Sequence, residues 1–247
     1  MFIHPEQQKI KEGAVGKKKR PGIIIWIWKM LFKLVLVLVL LSLCQVLFFG
    51  YFNPPVTVNM IWERLSFEIW ETRYVKPVYV WQDIEEISPS LKRAVMASED
   101  QRFLIHNGFD FQEIKIVIRD MVEKQTFRGA STITMQAARS LFLPASRNPL
   151  RKMAEAWYTL LMELFWDKKR ILEIYLNTVD WGTGVVGAQA GARKYFSTDA
   201  GGLSRSQAAL MAAVLPSPHK WSVTHPSAHV KDRQRRILRD MGKMRLP

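Results

Sequence analysis

The sequence predicts a mainly α-helical protein with one N-terminal membrane-spanning helix. Three observations carry this reading. Apolar residues recur at helical spacing through most of the chain after residue 86. Helix-start signals precede several of those runs, while stretches that alternate as strands do are nearly absent. One 19-residue stretch near the N-terminus, residues 34–52, carries no charge.

That stretch is close to the roughly 20 residues needed to cross the hydrocarbon of a bilayer. Residues 23–32 extend the apolar run but include Lys29, and Lys33 follows. The two lysines sit at i and i+4, on one helical face, where they can reach headgroups. Lys17-Lys18-Lys19-Arg20 lies ahead and predicts a cytoplasmic N-terminus. The apolar run exceeds a signal-peptide core and no small-x-small site follows it, so an uncleaved anchor is expected. The rest of the chain then faces the outside of the cytoplasmic membrane.

A chain of 247 residues accommodates this anchor and one domain of about 200 residues. Hydrophobic residues make up 48 %, which excludes bulk disorder. The net charge is +14, and residues beyond 33 remain basic, with 28 Lys/Arg against 20 Asp/Glu. Such a surface suits phosphate-bearing partners: nucleic acid, anionic headgroups or a pyrophosphate. The single cysteine, Cys44, excludes an intramolecular disulfide and a thiolate metal cluster. It lies in the apolar run and reads as a small buried hydrophobe.

The expected organisation is a basic tail over 1–33, a transmembrane helix over 34–52, a juxtamembrane segment over 53–85, a catalytic domain over 86–220 and a basic C-terminal helix over 221–247. Asn53-Pro54-Pro55 is a stiff break. The segment after it holds Trp62, Phe67, Trp70 and Trp81, and reads equally as a packed collar or as an interfacial amphipathic piece; residues 78–81 suit a short extended stretch. Ser88-Pro89 is an N-cap with Pro at N1, ahead of Leu91, Ala94, Val95 and Ser98. Asp110 with Glu113 resembles a capping box before Ile114, Val117, Ile118 and Met121. Asn148-Pro149 opens a helix whose Met153, Ala156, Trp157, Leu160, Leu161 and Leu164 form one apolar stripe. Ser204 and Gln207 cap an Ala-rich helix that stops at Pro216.

The candidate chemistry sits at helix ends. Glu99-Asp100 ends a helix, where carboxylates oppose the dipole; a general base with a raised pKa uses such a place, and so does a solvated surface pair. Gly129-Ala130-Ser131-Thr132 is a turn into a helix with Ser131 at its cap, able to receive an anion or simply to cap. Arg139 follows. Arg151 and Glu155 are i, i+4 neighbours opposite the apolar stripe, the place of a solvated ion pair.

The joint pattern is more specific than its parts. Glu99-Asp100-x-x-Phe103-x-x-His106-x-Gly108-x-Asp110 resembles the first signature of family 51 glycosyltransferases. Arg128-Gly129-Ala130-Ser131-Thr132-Ile133-Thr134-Met135-Gln136-x-x-Arg139 is similar to the second, Arg151-Lys152-x-x-Glu155 to the third, and Lys168-x-x-Ile171-Leu172-Glu173-x-Tyr175-Leu176-Asn177 to the fourth. Gly187-Ala188-x-x-Gly191-x-x-x-Tyr195-Phe196 resembles the fifth. All five fall in order between about residues 86 and 220. The length resembles the monofunctional peptidoglycan glycosyltransferases of Gram-negative bacteria. Four positions depart from the usual pattern: Met135, Arg139, Ser140 and Gln207.

The resemblance implies a lysozyme-like, two-lobed helical domain, placed on the periplasmic side of the inner membrane. It implies inverting transfer of a lipid-pyrophosphate-linked glycan onto the 4-hydroxyl of lipid II. Glu99 would be the general base. Arg139, Arg151 and Lys152 would stabilise the leaving pyrophosphate, with Glu155 orienting those cations or holding a divalent metal, Mg or Mn. Phe103, His106, Ser131, Thr132 and Gln136 join the expected substrate-binding set. No nucleotide is required, and no nucleotide-cradling glycine loop occurs. Expected partners are the lipid-linked glycan, the membrane, and other wall synthases and division proteins. Two other readings stay open: a hydrolase acting on finished glycan, and a scaffold that binds precursors without turnover. Nucleic-acid binding rests on charge alone.

Overall fold

The computed structural model describes residues 22–70, 75–125, 129–146 and 148–247. The Lys17–Arg20 cluster and Arg128 lie outside them. The described residues are mainly helical: α1 (Ile23–Tyr51), α2 (Val58–Trp70), α3 (Pro89–Glu99), α4 (Phe111–Lys124), α5 (Ile133–Phe142), α6 (Pro149–Phe165), α7 (Lys168–Thr178), α8 (Ala188–Phe196), α9 (Arg205–Val214) and α10 (Ala228–Asp240). Two short strands, β1 (Val78–Tyr79) and β2 (Val185–Val186), pair in parallel. The extended piece expected over 78–81 is therefore limited to its first two residues.

α1 is long and apolar enough to cross a membrane. It begins at Ile23, well ahead of the charge-free stretch at 34–52, so Lys29 and Lys33 lie within the helix. Residues up to Leu41 form one compact unit, and Ser42–Pro247 form a second. Within the second unit the end of α1 is bonded to the domain at polar points. Trp157 donates to Ser42 Oγ (2.9 Å), Tyr158 to Gln45 (2.6 Å) and Trp166 to the carbonyl of Val46 (2.8 Å). Arg170 completes the attachment: its guanidinium donates to the carbonyls of Phe49 and Phe52 and to Asn53. Those carbonyls belong to the last turn of α1 and its continuation, where no intrahelical partner is available.

The core is built from alanine-rich contacts. α9 buries Ala208, Ala209, Ala212 and Ala213 between α3 and α10, and small side chains let the helices approach closely. α5, α6 and α7 form a second packed group around Leu141, Met162, Leu172 and fully buried Tyr175. The fourth motif is largely scaffold. Asn177 receives the Gln82 N–H and returns its amide to the Gln82 carbonyl, while Glu173 receives the Ile84 N–H. Gly187 follows at φ +86°, and a Cβ there would meet the Asn177 carbonyl oxygen at 2.6 Å.

The expected caps are present at Ser88, Asp110, Asn148 and Ser204. Gln207 completes a capping box on Ser204, so its departure from the usual residue is met by an amide oxygen that accepts the same bond. Met135 is 7 % exposed and turns inward.

Two amphipathic helices, α4 and α6, keep apolar residues exposed. α4 buries none of its residues, and Ile118, Met121 and Val122 stand exposed. On α6 most of the apolar stripe faces outward: Met153 is 69 % exposed and Leu164 73 %, and of the six stripe residues Leu161 alone is buried. The buried face instead holds Glu155, Thr159 and Met162. Periodicity finds an apolar stripe; it does not say whether protein or lipid covers it.

Replacing Arg170 by Ala leaves the carbonyls of Phe49 and Phe52 and the Glu173 carboxylate without their donor. The expected cost is about 2–4 kcal/mol, read as a lower thermal midpoint of the detergent-solubilised protein. An unchanged midpoint would remove Arg170 from that role.

Candidate active site

A cleft of about 750 Å³ opens between the end of α3, the start of α5 and the C-terminal helices. Its lining includes Glu99, Ser131, Thr132, Gln136, Arg139 and Arg233. The sequence places Glu99 at the last residue of α3, so its backbone is fixed by the helix while its side chain reaches the cleft.

Both oxygens of the Glu99 carboxylate are held. Ser98 Oγ donates to Oε1 (2.9 Å) and Gln136 Nε2 donates to Oε2 (3.1 Å). Tyr175, fully buried, directs its hydroxyl at the other end of the Gln136 amide. That contact fixes which way the amide faces and so which end meets Glu99. Burial pushes the Glu99 pKa up, and the two hydrogen bonds and the charges of Arg233 and Arg139 only partly offset it. A carboxyl group in this state can take a proton from a hydroxyl near neutral pH.

The neighbouring acid does different work. Asp100 lies 2.9 and 3.0 Å from His106 Nε2 through its two oxygens, and one of them also receives the Ile133 N–H at 3.0 Å. The first helical N–H of α5 thus meets a carboxylate of the same chain. Thr132, not Ser131, is the N-cap: its hydroxyl accepts from Met135 N and donates to the Gly108 carbonyl at 2.6 Å. Two of the N-terminal donors expected to receive an external anion are therefore already engaged. Gly108 sits at φ +83°, where a Cβ would meet Thr159 at 2.6 Å, so the motif glycine is a packing requirement.

Phe103 and His106 do not line the cleft. Phe103 is fully buried under the Lys168 ammonium, 4.7 Å from its ring centre, and His106 is 8 % exposed. They brace the loop behind Glu99. Ser140 also lies outside the cleft lining, in a separate cavity of about 370 Å³ with Thr178 and Asp180.

Glu155 is fully buried, against the solvated pair its spacing predicts. Arg151 reaches one oxygen at 2.6 Å and Lys152 the other at 2.5 Å. The two cations neutralise the acid and make its burial tolerable. Each oxygen is thus already engaged by one cation, which any metal there would have to share. The described group of His, Asp and Glu with metal-ligand spacing is Asp100, His106 and Asp110. It does not fit a metal: Asp100 holds His106 and Ile133, and Asp110 holds Gln112 N, Glu113 N and Arg102. Arg151, Lys152 and Glu155 do not line the cleft that Glu99 occupies.

Sequence reading missed Arg233, which reaches the cleft from the basic C-terminal helix. Its signal was spacing: Arg233 lies three residues after buried Val230 and four before buried Ile237, a cation on the core-facing stripe.

The raised pKa of Glu99 has a stability consequence. The folded state favours the protonated acid, so the contribution is favourable at low pH and is lost as pH rises through the folded value. Glu99→Gln is expected to melt higher than the parent at neutral pH. The gap should close as pH falls from the raised folded value toward the ordinary glutamate range. Thermal melts across pH check this; a variant that melts lower at every pH would contradict it.

Residues 70–242 match the transglycosylase family. The chain is 44 % identical over 214 residues to a biosynthetic peptidoglycan transglycosylase of Xylella fastidiosa (strain 9a5c), covering 86 % of this chain and 87 % of that one. It is 48 % identical over 206 residues to a protein of the same description from Pseudomonas putida (strain W619), covering 82 % and 86 %. With these motifs in this order around the Glu99 cleft, the chain belongs to the transglycosylase family and is a glycosyltransferase.

Proposed function

We propose that this enzyme polymerises peptidoglycan glycan chains by inverting transfer of a lipid-pyrophosphate-linked glycan onto lipid II. The observation that carries the proposal is the Glu99 carboxylate, held by Ser98 and Gln136 in a cleft that Arg139 also lines. The acceptor 4-hydroxyl gives its proton to Glu99 as its oxygen bonds to the donor C1. The C1–phosphate oxygen bond breaks on the opposite face, and the electron pair leaves with the pyrophosphate. Base and leaving group on opposite faces invert the centre from α to β, the geometry of inverting glycosyl transfer.

The departing diphosphate gathers negative charge. Arg139 stands in the cleft to meet it. Arg151 and Lys152, paired with Glu155 outside that lining, form a second cationic group for the part of the lipid pyrophosphate that extends beyond the cleft. Glu155 then orients cations. Ser131, Thr132 and Gln136 bind sugar or phosphate oxygens from the cleft wall. A divalent cation, Mg or Mn, would enter with the substrate pyrophosphate and share the Glu155 oxygens with Arg151 and Lys152. Proton transfer and charge stabilisation by these residues do not depend on it.

The membrane is the second half of the reading. α1 is the anchor, with its N-terminal end in the cytoplasm and the catalytic domain outside the inner membrane. The outward-facing row of α6, with Leu150, Met153, Leu160 and Leu164 exposed, supports contact with lipid. So does its place: Trp157 of α6 bonds Ser42, in the middle of the apolar run of α1. Enzyme and lipid-linked substrate then share one surface, which raises their effective concentration without new contacts.

Labelled lipid II in detergent or vesicles provides the test, with products separated on a gel. The parent should form glycan, and Glu99→Gln should form none while still binding substrate. The acid limb of kcat/KM should lie above the ordinary glutamate range, as the burial of Glu99 requires. Arg139→Ala should slow the reaction at least about tenfold. Near-normal glycan from Glu99→Gln would end the proposal. Repeating the assay with a chelator reads the need for a cation.

On vesicles carrying lipid II, Leu150→Glu with Leu164→Glu should lower the rate by about tenfold or more, because each exposed leucine loses its lipid contact. The same pair should change little in detergent solution. Equal losses in both media would show a folding defect rather than a lipid-facing surface.

A further inference from the structure

Arg233 stands apart from the five motifs, yet it is tied to the candidate base by an unbroken set of contacts. On α10 it shares the inward stripe of Val230 and Ile237. Its guanidinium is fixed on three sides. Nε donates to the Ala213 carbonyl at 3.1 Å, one terminal nitrogen donates to Ser98 Oγ at 3.2 Å, and the group lies over the Trp221 ring, 5.5 Å from its centre. Ser98 in turn has a single hydroxyl proton, with Glu99 Oε1 at 2.9 Å and the Ala212 carbonyl at 3.0 Å.

An arginine is a donor only. By donating to Ser98 Oγ it occupies a lone pair of that oxygen and leaves the Ser98 proton for Glu99 or Ala212. Its charge polarises the hydroxyl and favours the ionised carboxylate beyond it. The cost of putting a cation here is real, since burial lowers the Arg233 pKa and Arg236 repels it. A solvated position elsewhere on this helix would avoid both penalties.

We infer that Arg233 is a positioning residue for the transfer reaction: through Ser98 it fixes one oxygen of Glu99 and holds that carboxylate ready to accept the acceptor's proton. The inference rests on the proposal that Glu99 is the base. Arg139 from α5 also acts on Glu99 electrostatically, and Glu99 in turn raises the pKa of the buried Tyr175 of α7. Asp100 is turned to His106. Of the elements packed on α3, α9 presents buried alanines, and the short turn Met241–Lys243 presents buried Met241 with Lys243 paired to Asp240. Arg233 and Arg139 are therefore the cations that set the ionisation of Glu99, and Arg233 alone of the two is coupled to it through a hydroxyl.

The test titrates the Glu99 carboxyl carbon in 13C-glutamate-labelled protein, its signal assigned by its loss in Glu99→Gln. Arg233→Gln should move the titration midpoint and the acid limb of kcat/KM up together, by about half to one pH unit. Ser98→Ala should move them the same way, and the double variant no further than the larger single change. Arg233→Lys should recover most of the midpoint by restoring charge, and less of kcat, because an ammonium lacks the guanidinium fork. If Arg233→Gln fails to fold, Arg233→Lys and Ser98→Ala still carry the measurement. A midpoint that stays in place in Arg233→Gln and Ser98→Ala, with only the melting temperature lowered, would reduce Arg233 to helix packing and overturn the inference. A midpoint that moves while Glu99→Gln still polymerises glycan would instead overturn the role of Glu99 as base and leave the coupling standing.

Discussion

The carboxylate of Asp100 holds three parts of the protein in one place. It closes the end of α3, turns toward His106 in the loop behind it, and receives the first helical N–H of α5. The helix dipole of α5 favours a negative charge at that point, so the contact is attractive beyond the hydrogen bond itself. Everything that surrounds Glu99 depends on this junction. Glu99 is the residue before Asp100, and Gln136, which holds it, lies on the first turn of α5. Had Asp100 pointed to solvent, the two sides of the cleft would lose this charged tie and keep only the neutral donors of Gln136 and Thr132. Thr132 strengthens the same junction by bonding the Gly108 carbonyl.

A second constraint runs along α6. Glu155 faces inward while Leu150, Leu160 and Leu164 face outward, the reverse of an ordinary helix in water. Two conditions make this possible. Arg151 and Lys152 neutralise Glu155 inside, so the buried charge is not left alone. Outside, the exposed apolar surface carries no penalty if its solvent is hydrocarbon. The polar anchoring of Ser42, Gln45 and Val46 follows the same logic: these bonds join α1 to the domain at points where water would be scarce. A hydrogen bond placed there has fewer competitors than one at an aqueous surface.

Much of this arrangement was legible in the sequence, and the failures share a cause. The helices, four caps and the end of α3 at Glu99 followed from spacing and cap chemistry, which are local. The stripe of α6 was legible as a stripe, but not its outward direction, because period alone does not identify the covering medium. Ser131 was taken for the cap that Thr132 provides; the two adjacent hydroxyls are equivalent locally, and the choice is made by Gly108, 24 residues away. Phe103 and His106 were grouped with the substrate contacts because they share a motif with Glu99, yet they serve the loop that carries it. A motif marks residues that must occur together, and support for a catalytic group satisfies that condition as well as contact with substrate does. Arg233 shows the converse. It belongs to no motif, and only the fold brings it to Ser98.

The site as a whole is a compromise between burial and charge. An acid in open water would ionise easily but would hold its proton too weakly to help a poor nucleophile. An acid buried without partners would stay protonated and accept nothing. Glu99 sits between these limits because burial raises its pKa while Ser98, Gln136, Arg233 and Arg139 lower it. The opposing contributions come from α3, α5 and α10, elements far apart in sequence. Their balance is therefore a property of the folded cleft and not of any one motif. Two of these, Ser98 and Gln136, also fix the carboxylate in space, so groups that tune its affinity for a proton also determine where that proton must arrive.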